Sequence, residues 1–242
     1  GEERLYLRVN LLKDHVDKFI IVESNKTHAG KPVERKFPEI ARKLGLPIEK
    51  IIYIEHDIPD TEDLEILDID RRNAANNASN KESLLARVRE RLQKDAVMLA
   101  LRDFDKRDVF LYGDADEIIN PLHIKWLAKQ CHLIIKVPLV YLQGRADLRV
   151  HHADGRPLIW KRAMFFATKE QLQHCKLSNI RCGNIDIKIT FPTNQGVIQE
   201  DMGWHFAWMG TNAQRQTKAD SFAHLIALNG IPKVVTQTIN SS

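Results

Sequence analysis

The chain has 242 residues, 43% of them hydrophobic and 28% charged, which excludes a wholly disordered chain, a collagen and a coiled-coil rod. Its net charge of +4 is unevenly spread. Residues 1–120 carry 21 Lys and Arg against 25 Asp and Glu (−4), and residues 121–242 carry 15 against 7 (+8). A basic half suits phosphates or other anions, and equally a plain solvated surface.

In chain order, residues 1–16 read as a helix, because Leu5, Val9, Leu12 and Val16 recur at helical spacing. Residues 18–24 read as a short buried strand ending in Glu23 and Ser24, and residues 27–32 as a loop. A helix over 37–44 stops at Gly45, and a second strand covers 51–54. Residues 56–80 are polar and rich in Asp and Asn, the pattern of a long excursion or mobile loop. A long helix is expected over 82–103, then a third strand over 108–112 that runs into Gly113-Asp114-Ala115-Asp116-Glu117.

The first half thus alternates strand and helix, the pattern of a parallel sheet covered by helices. Ligands bind beyond the carboxyl ends of strands in such sheets. In the second half, residues 133–142, 158–166 and 185–191 are strand-like, 151–157 is turn-like and 214–228 helical. No repeat, linker or low-complexity segment divides the chain, so one mixed α/β domain is expected.

The longest apolar stretches, 96–101 and 133–142, fall short of the ~20 residues of a membrane span, so none is expected. No secretory leader is legible, but the chain opens at Gly1 rather than Met, which allows a trimmed start. Cys131, Cys175 and Cys182 form no C-x-x-C pair and are too few for a disulfide framework. The expectation is a cytoplasmic protein, or a lumenal or secretory one if the N-terminus has been trimmed.

The sharpest chemical feature is the aspartate pair. In extended backbone, residues i and i+2 point the same way, so Asp114 and Asp116 can converge just beyond a strand. Two confined carboxylates repel unless a cation or proton lies between them, and hard oxygen ligands suit Mg²⁺ or Mn²⁺. The tetrapeptide also suits an acidic turn capping the next segment. A second cluster, from Gln199 to Trp208, holds Glu200, Asp201, Trp204, His205 and Trp208. A carboxylate there can act as a general base, His205 can be a third metal ligand, and the indoles can stack on sugars or fill a core. Lys161 and Arg162, beside Trp160, can hold phosphate or make surface ion pairs. Signatures of P-loop, dinucleotide-binding and α/β-hydrolase folds are absent.

Several of these stretches together resemble glycosyltransferase family 17, known for β-1,4-mannosyl-glycoprotein N-acetylglucosaminyltransferases. They are Val16-Asp-Lys-Phe-Ile-Ile-Val-Glu-Ser-Asn-Lys-Thr-His-Ala-Gly-Lys-Pro, Glu90-Arg-Leu-Gln-Lys-Asp-Ala-Val-Met-Leu-Ala-Leu, Asp108-Val-Phe-Leu-Tyr-Gly-Asp-Ala-Asp-Glu-Ile, Gly203-Trp-His-Phe and Lys218-Ala-Asp-Ser-Phe-Ala-His. The resemblance implies a GT-A-like fold with a mixed, mostly parallel sheet flanked by helices. Residues 1–120 would form its nucleotide-sugar and metal half, and 121–242 its acceptor half. It implies that Asp114 and Asp116 are a DxD motif holding Mn²⁺ or Mg²⁺ on the donor's two phosphates. It implies inverting transfer, by direct displacement, from a UDP-sugar (UDP-GlcNAc or a relative) to a glycan or other hydroxyl acceptor. Glu23, Ser24, Gln93, Lys94, Asp95, Lys161 and Arg162 would surround the donor, and Asp201 or Glu200 would be the base. The family's strand before the first helix is expected to be absent or reduced here, since the chain opens at Gly1-Glu2-Glu3. The competing readings are a non-catalytic module binding an anionic glycan or nucleic acid on the same fold, and a Mg²⁺-dependent phosphohydrolase.

Overall fold

A computed structural model of the chain describes residues 2–74, 80–182, 189–190, 202–221 and 236–238. Helix α1 (Glu2–Leu12) buries Val9 and Leu12 and packs Leu5 against the same core. Strand β1 (Phe19–Ser24) pairs in parallel with β2 (Ile51–His56), in register from Phe19↔Ile51 to Ser24↔His56. The crossover carries α2 (Phe37–Lys43), with a proline in its first turn, where its missing N–H costs nothing.

The described part of the segment expected as an excursion over 56–80, residues 56–74, is more ordered than its polarity suggested. It contains a 3-10 turn (Thr61–Asp63) and α3 (Asp68–Ala74). Ile58, Ile69 and Asp70 are buried, and Arg91 Nε donates to both Asp70 oxygens at 2.9 and 3.2 Å. The expected helix over 82–103 changes winding part-way. Helix α4 (Lys81–Asp95), capped by Asn80, gives way to a 3-10 stretch (Ala96–Asp103). The change comes where the Asp95 carboxylate accepts Ser178 N and Oγ, each at 3.0 Å.

The chain then forms β3 (Val109–Tyr112), β4 (Glu117–Ile119) and α5 (Pro121–Lys129), whose start is capped by Asn120. Next come β5 (Ile134–Gln143), β6 (Leu148–Val150) and β7 (Ile159–Thr168). Helix α6 (Lys169–His174) opens on a capping box between Thr168 and Gln171, and α7 (Leu177–Cys182) follows. The remaining described elements are β8 (Ile189–Thr190), β9 (Gly203–Ala207), α8 (Asn212–Ser221) and β10 (Thr236–Thr238). No described helix is long and apolar enough to cross a membrane.

The strands form a two-stranded sheet, β1 and β2, and a larger one; the pairing is mixed as expected, but it is not mostly parallel. Parallel pairs join β1 to β2, and β5 to β8 and β9. Antiparallel pairs join β3 to β7, β5 to β7 and β6, β6 to β10, and β4 to β9. Short connections from β5 to β6 to β7 leave no room for a crossover helix, and strands so joined run antiparallel. Between Val137↔Met164 and Leu139↔Trp160 the register shifts. Pro138 sits at that shift, where a strand tolerates a residue without an N–H.

Both faces of β7 are covered. Met164 and Phe166 enter a large core with Val9, Phe19, Phe37, Leu127, Val137 and Leu139. Phe165 and Ala167 enter a smaller one with Leu101, Leu172, Leu177 and Ile180. The large core draws on residues from both halves, as one domain requires. Among the described residues, β1 pairs only with β2, and β3 only with β7. Consecutive residues of both strands line one cleft of about 1350 Å³. A strand lines a space with consecutive residues when it turns its edge to it, because side chains on one face alternate.

Candidate active site

The acidic segment begins where β3 ends. Gly113 is needed there for space: a Cβ would stand 2.8 Å from Met164 Cε and 3.2 Å from Arg8 Nη1. The chain then turns, with Glu117 N donating to the Asp114 carbonyl at 2.9 Å. The aspartates thus sit on a turn rather than on extended backbone, so strand alternation is not what places them. Both line the cleft.

Three arginines hold this turn. Arg8, from the buried side of α1, donates to the carbonyls of Asp114 and Glu117, both at 2.5 Å. Arg4, one helical turn earlier, lies 3.5 Å from Asp116 Oδ2. Arg181, near the end of α7, pairs with the Asp114 carboxylate and reaches Glu117 Oε2 and Oε1 at 3.1 and 3.2 Å. Buried Lys136 in turn donates to the Arg181 carbonyl at 3.0 Å. Glu117 is fully buried and also accepts Asp114 N at 2.9 Å and Trp160 Nε1 at 3.1 Å. Burial alone would raise the Asp114 carboxyl, but the charges of Arg181 and Lys94 outweigh it and hold it below the usual carboxylate range.

The remaining expected site residues fall into groups. His205 is brought to the pair, its Nε2 3.8 Å from Asp116 Oδ1. Gln93 and Lys94 line the cleft; Gln93 Oε1 meets His28 Nε2 at 2.5 Å, and Lys94 pairs with Glu90. Glu90 is buried, which would raise it, yet Lys94 and Arg87 hold it below its ordinary range. Glu23 lines the cleft too, but its carboxylate accepts the N–H groups of Lys36 and Phe37 at 3.0 and 2.9 Å and the Tyr53 hydroxyl at 2.8 Å. Ser24 is buried with no hydrogen-bond partner for its hydroxyl. Asp95 turns to Ser178 and is not among the lining residues. Lys161 is exposed on β7. Glu200, Asp201 and the Arg162 side chain lie outside the described residues.

Arg4, Arg8, Arg181 and Glu117 were not singled out from the sequence. Arg4 and Arg8 each precede a residue of the apolar face, Leu5 and Val9, and that i, i+4 spacing was a usable signal. Arg181 carries no local signal, because its partners lie more than sixty residues away.

The model of glycosyltransferase family 17 matches residues 2–181, which takes in the acidic turn and all three arginines. The chain belongs to glycosyltransferase family 17. No curated protein and no solved structure matches it. Membership of family 17 carries glycosyltransferase activity, and with it a sugar donor and an acceptor.

The oxygen atoms of the acidic turn also bear on a cation. Among the described residues, no three His, Cys, Asp or Glu side chains gather into a closed metal cage. Asp114, about two-fifths exposed, and Asp116 instead offer hard oxygens on one turn facing the cleft. Mg²⁺-type ions are commonly held in that open manner, by one or two carboxylates with substrate phosphates completing the shell. The residues present fit such an ion.

Proposed function

We infer that the chain is a metal-dependent, inverting glycosyltransferase of GT-A-like fold. It moves GlcNAc or a related sugar from a UDP-sugar to a hydroxyl of a glycan or another acceptor. The observation that carries this reading is the placement of Asp114 and Asp116 on one turn at the carboxyl end of β3, in the wall of the large cleft.

Asp114 and Asp116 would hold Mn²⁺ or Mg²⁺, with His205 beside them. When bound, the ion supplies positive charge against the departing diphosphate. The chain's own residues do the rest. Arg181 already places a guanidinium at Asp114, and its planar fork suits a phosphate oxygen as well as a carboxylate. Lys94 adds a second cation on the cleft wall. Gln93 and Glu23 would line the donor side, Glu23 with its carboxylate tied to the start of α2, and Ser24 would offer its buried hydroxyl beside them. Asp201 or Glu200 takes the acceptor's proton as its oxygen attacks the anomeric carbon from the side opposite the diphosphate. Lys161 and Arg162 would add basic side chains for the donor's phosphates.

The test pairs binding with turnover. UDP and UDP-GlcNAc should raise the melting temperature in the presence of Mn²⁺, since a ligand at one hundred times its Kd adds ~2.7 kcal/mol. Asp116→Asn should lose both the Mn²⁺-dependent shift and transfer, while melting without ligand close to the parent. Unchanged transfer by that variant would overturn the metal assignment.

A further inference from the structure

One wall of the cleft beside Asp116 is aromatic, and the sheet register builds it. Residues in register on neighbouring strands share a face, as do residues two apart on one strand. Glu117 of β4 is in register with His205 of β9, and His205 with Tyr141 of β5. Trp160 of β7 is in register with Leu139, two residues before Tyr141. Four adjacent strands thus bring Glu117, His205, Tyr141 and Trp160 to one face.

The rings meet at angles. Tyr141 and His205 are 5.1 Å apart at 87°, Trp160 and His205 5.0 Å at 43°, and Tyr141 and Trp160 6.0 Å at 48°. A planar base asks for parallel surfaces. These rings pack tilted and edge to face, as aromatic pairs prefer, and together give the cleft one continuous aromatic wall, on which the C–H face of a saturated six-membered ring can lie. Glu117, on the same face, orients one ring by taking the Trp160 indole N–H at 3.1 Å.

Trp208 stands at the rim, one residue beyond β9, and lines the same cleft. Its φ is +53°, and among the described residues it is the one non-glycine with a positive φ. A bulky side chain held there costs free energy that a glycine would not. Such outliers cluster where a side chain is held for a ligand.

We propose that Tyr141, Trp160, His205 and Trp208 form a pyranose-binding cup beside the acidic turn, with the Trp208 indole closing on the sugar. The proposal rests on the transferase reading for the sugar's source, which is either the donor's hexose or the acceptor's. It rests on the ring geometry for the site itself.

The test uses Trp208→Gly, which relieves the backbone and removes the ring, and Trp208→Phe, which restores a ring. Calorimetry reads the binding of UDP, of UDP-GlcNAc, and of the methyl glycosides of GlcNAc and mannose, the glycosides with UDP and Mn²⁺ present and again without them. Trp208→Gly should still melt cooperatively and bind UDP as the parent does. It should bind one sugar-bearing probe about tenfold more weakly, the order of a lost stacking contact, with most of that regained in Trp208→Phe. Weakening confined to UDP-GlcNAc assigns the cup to the donor sugar, and weakening confined to the glycosides assigns it to the acceptor. Equal binding of every probe by parent and glycine variant overturns the cup. So does a parent that binds no sugar-bearing probe, or a glycine variant that melts lower and loses UDP as well. A parent that binds glycosides but no nucleotide would sink the transferase reading and leave the cup standing.

Discussion

Arg181 is the residue on which the acidic turn depends. It spans Asp114, which opens on the cleft, and Glu117, which is fully buried. Removing one partner of a buried ion pair leaves the other uncompensated, at a cost of about 3–5 kcal/mol. Arg181→Gln is therefore expected to lower stability at pH 7 by that order, as read by urea unfolding. The effect has a sign in pH. Asp114 is held below its ordinary value, because Arg181 and Lys94 attract its charged form more than desolvation disfavours it. A depressed carboxylate stabilises the fold above its unfolded pKa, about 3.9, and that contribution is lost as pH falls through the folded value. The gap between parent and variant should thus narrow when the same unfolding is done in acid below that range. A gap of constant size across the range would mean that Arg181 acts without the Asp114 charge.

At the scale of elements, what was legible in the sequence was what local pattern encodes. The strand–helix alternation of residues 18–54 gave β1, α2 and β2, since period and turn residues mark them directly. The acidic pair was legible at the end of a strand, and the turn that carries it was one of the two arrangements its residues suggested. Helix α3 was hidden because its stability is not in its own composition: it is short and polar, and packs through Ile69 and the pairing of buried Asp70 with Arg91. The antiparallel half of the large sheet was hidden for a similar reason, because pairing is decided between distant segments. The Asp70 pair is testable. Asp70→Ala leaves Arg91 buried without its carboxylate and should cost about 3 kcal/mol or more in urea unfolding. Replacing both residues by apolar ones of similar size, Asp70→Leu with Arg91→Met, should recover much of the loss. No recovery would mean that the pair orients α3 rather than merely neutralising charge. Gly203 shows another limit. A Cβ there would drive into the Ile118 carbonyl and stand 2.8 Å from Ile119 Cα, a demand visible only once β4 and β9 lie together.

For the whole molecule, the telling feature is the space between β1 and β3. The two strands belong to separate sheets, yet both present edges to one cleft whose floor is continuous apolar core. An unpaired strand edge carries a row of free N–H and C=O groups, and natural folds shield such edges because they recruit other extended chains. Here two edges face one space, so an extended segment entering it could be bonded on both sides. Among the described residues both edges are open, so an extended segment is expected to be taken up there as an added strand. Purified alone, it is expected to self-associate as concentration rises. Sedimentation velocity across a hundredfold range should show this, and an extended peptide of alternating Val and Thr should compete with it. A sedimentation coefficient that stays at the monomer value throughout would mean that the flanking side chains already close both edges.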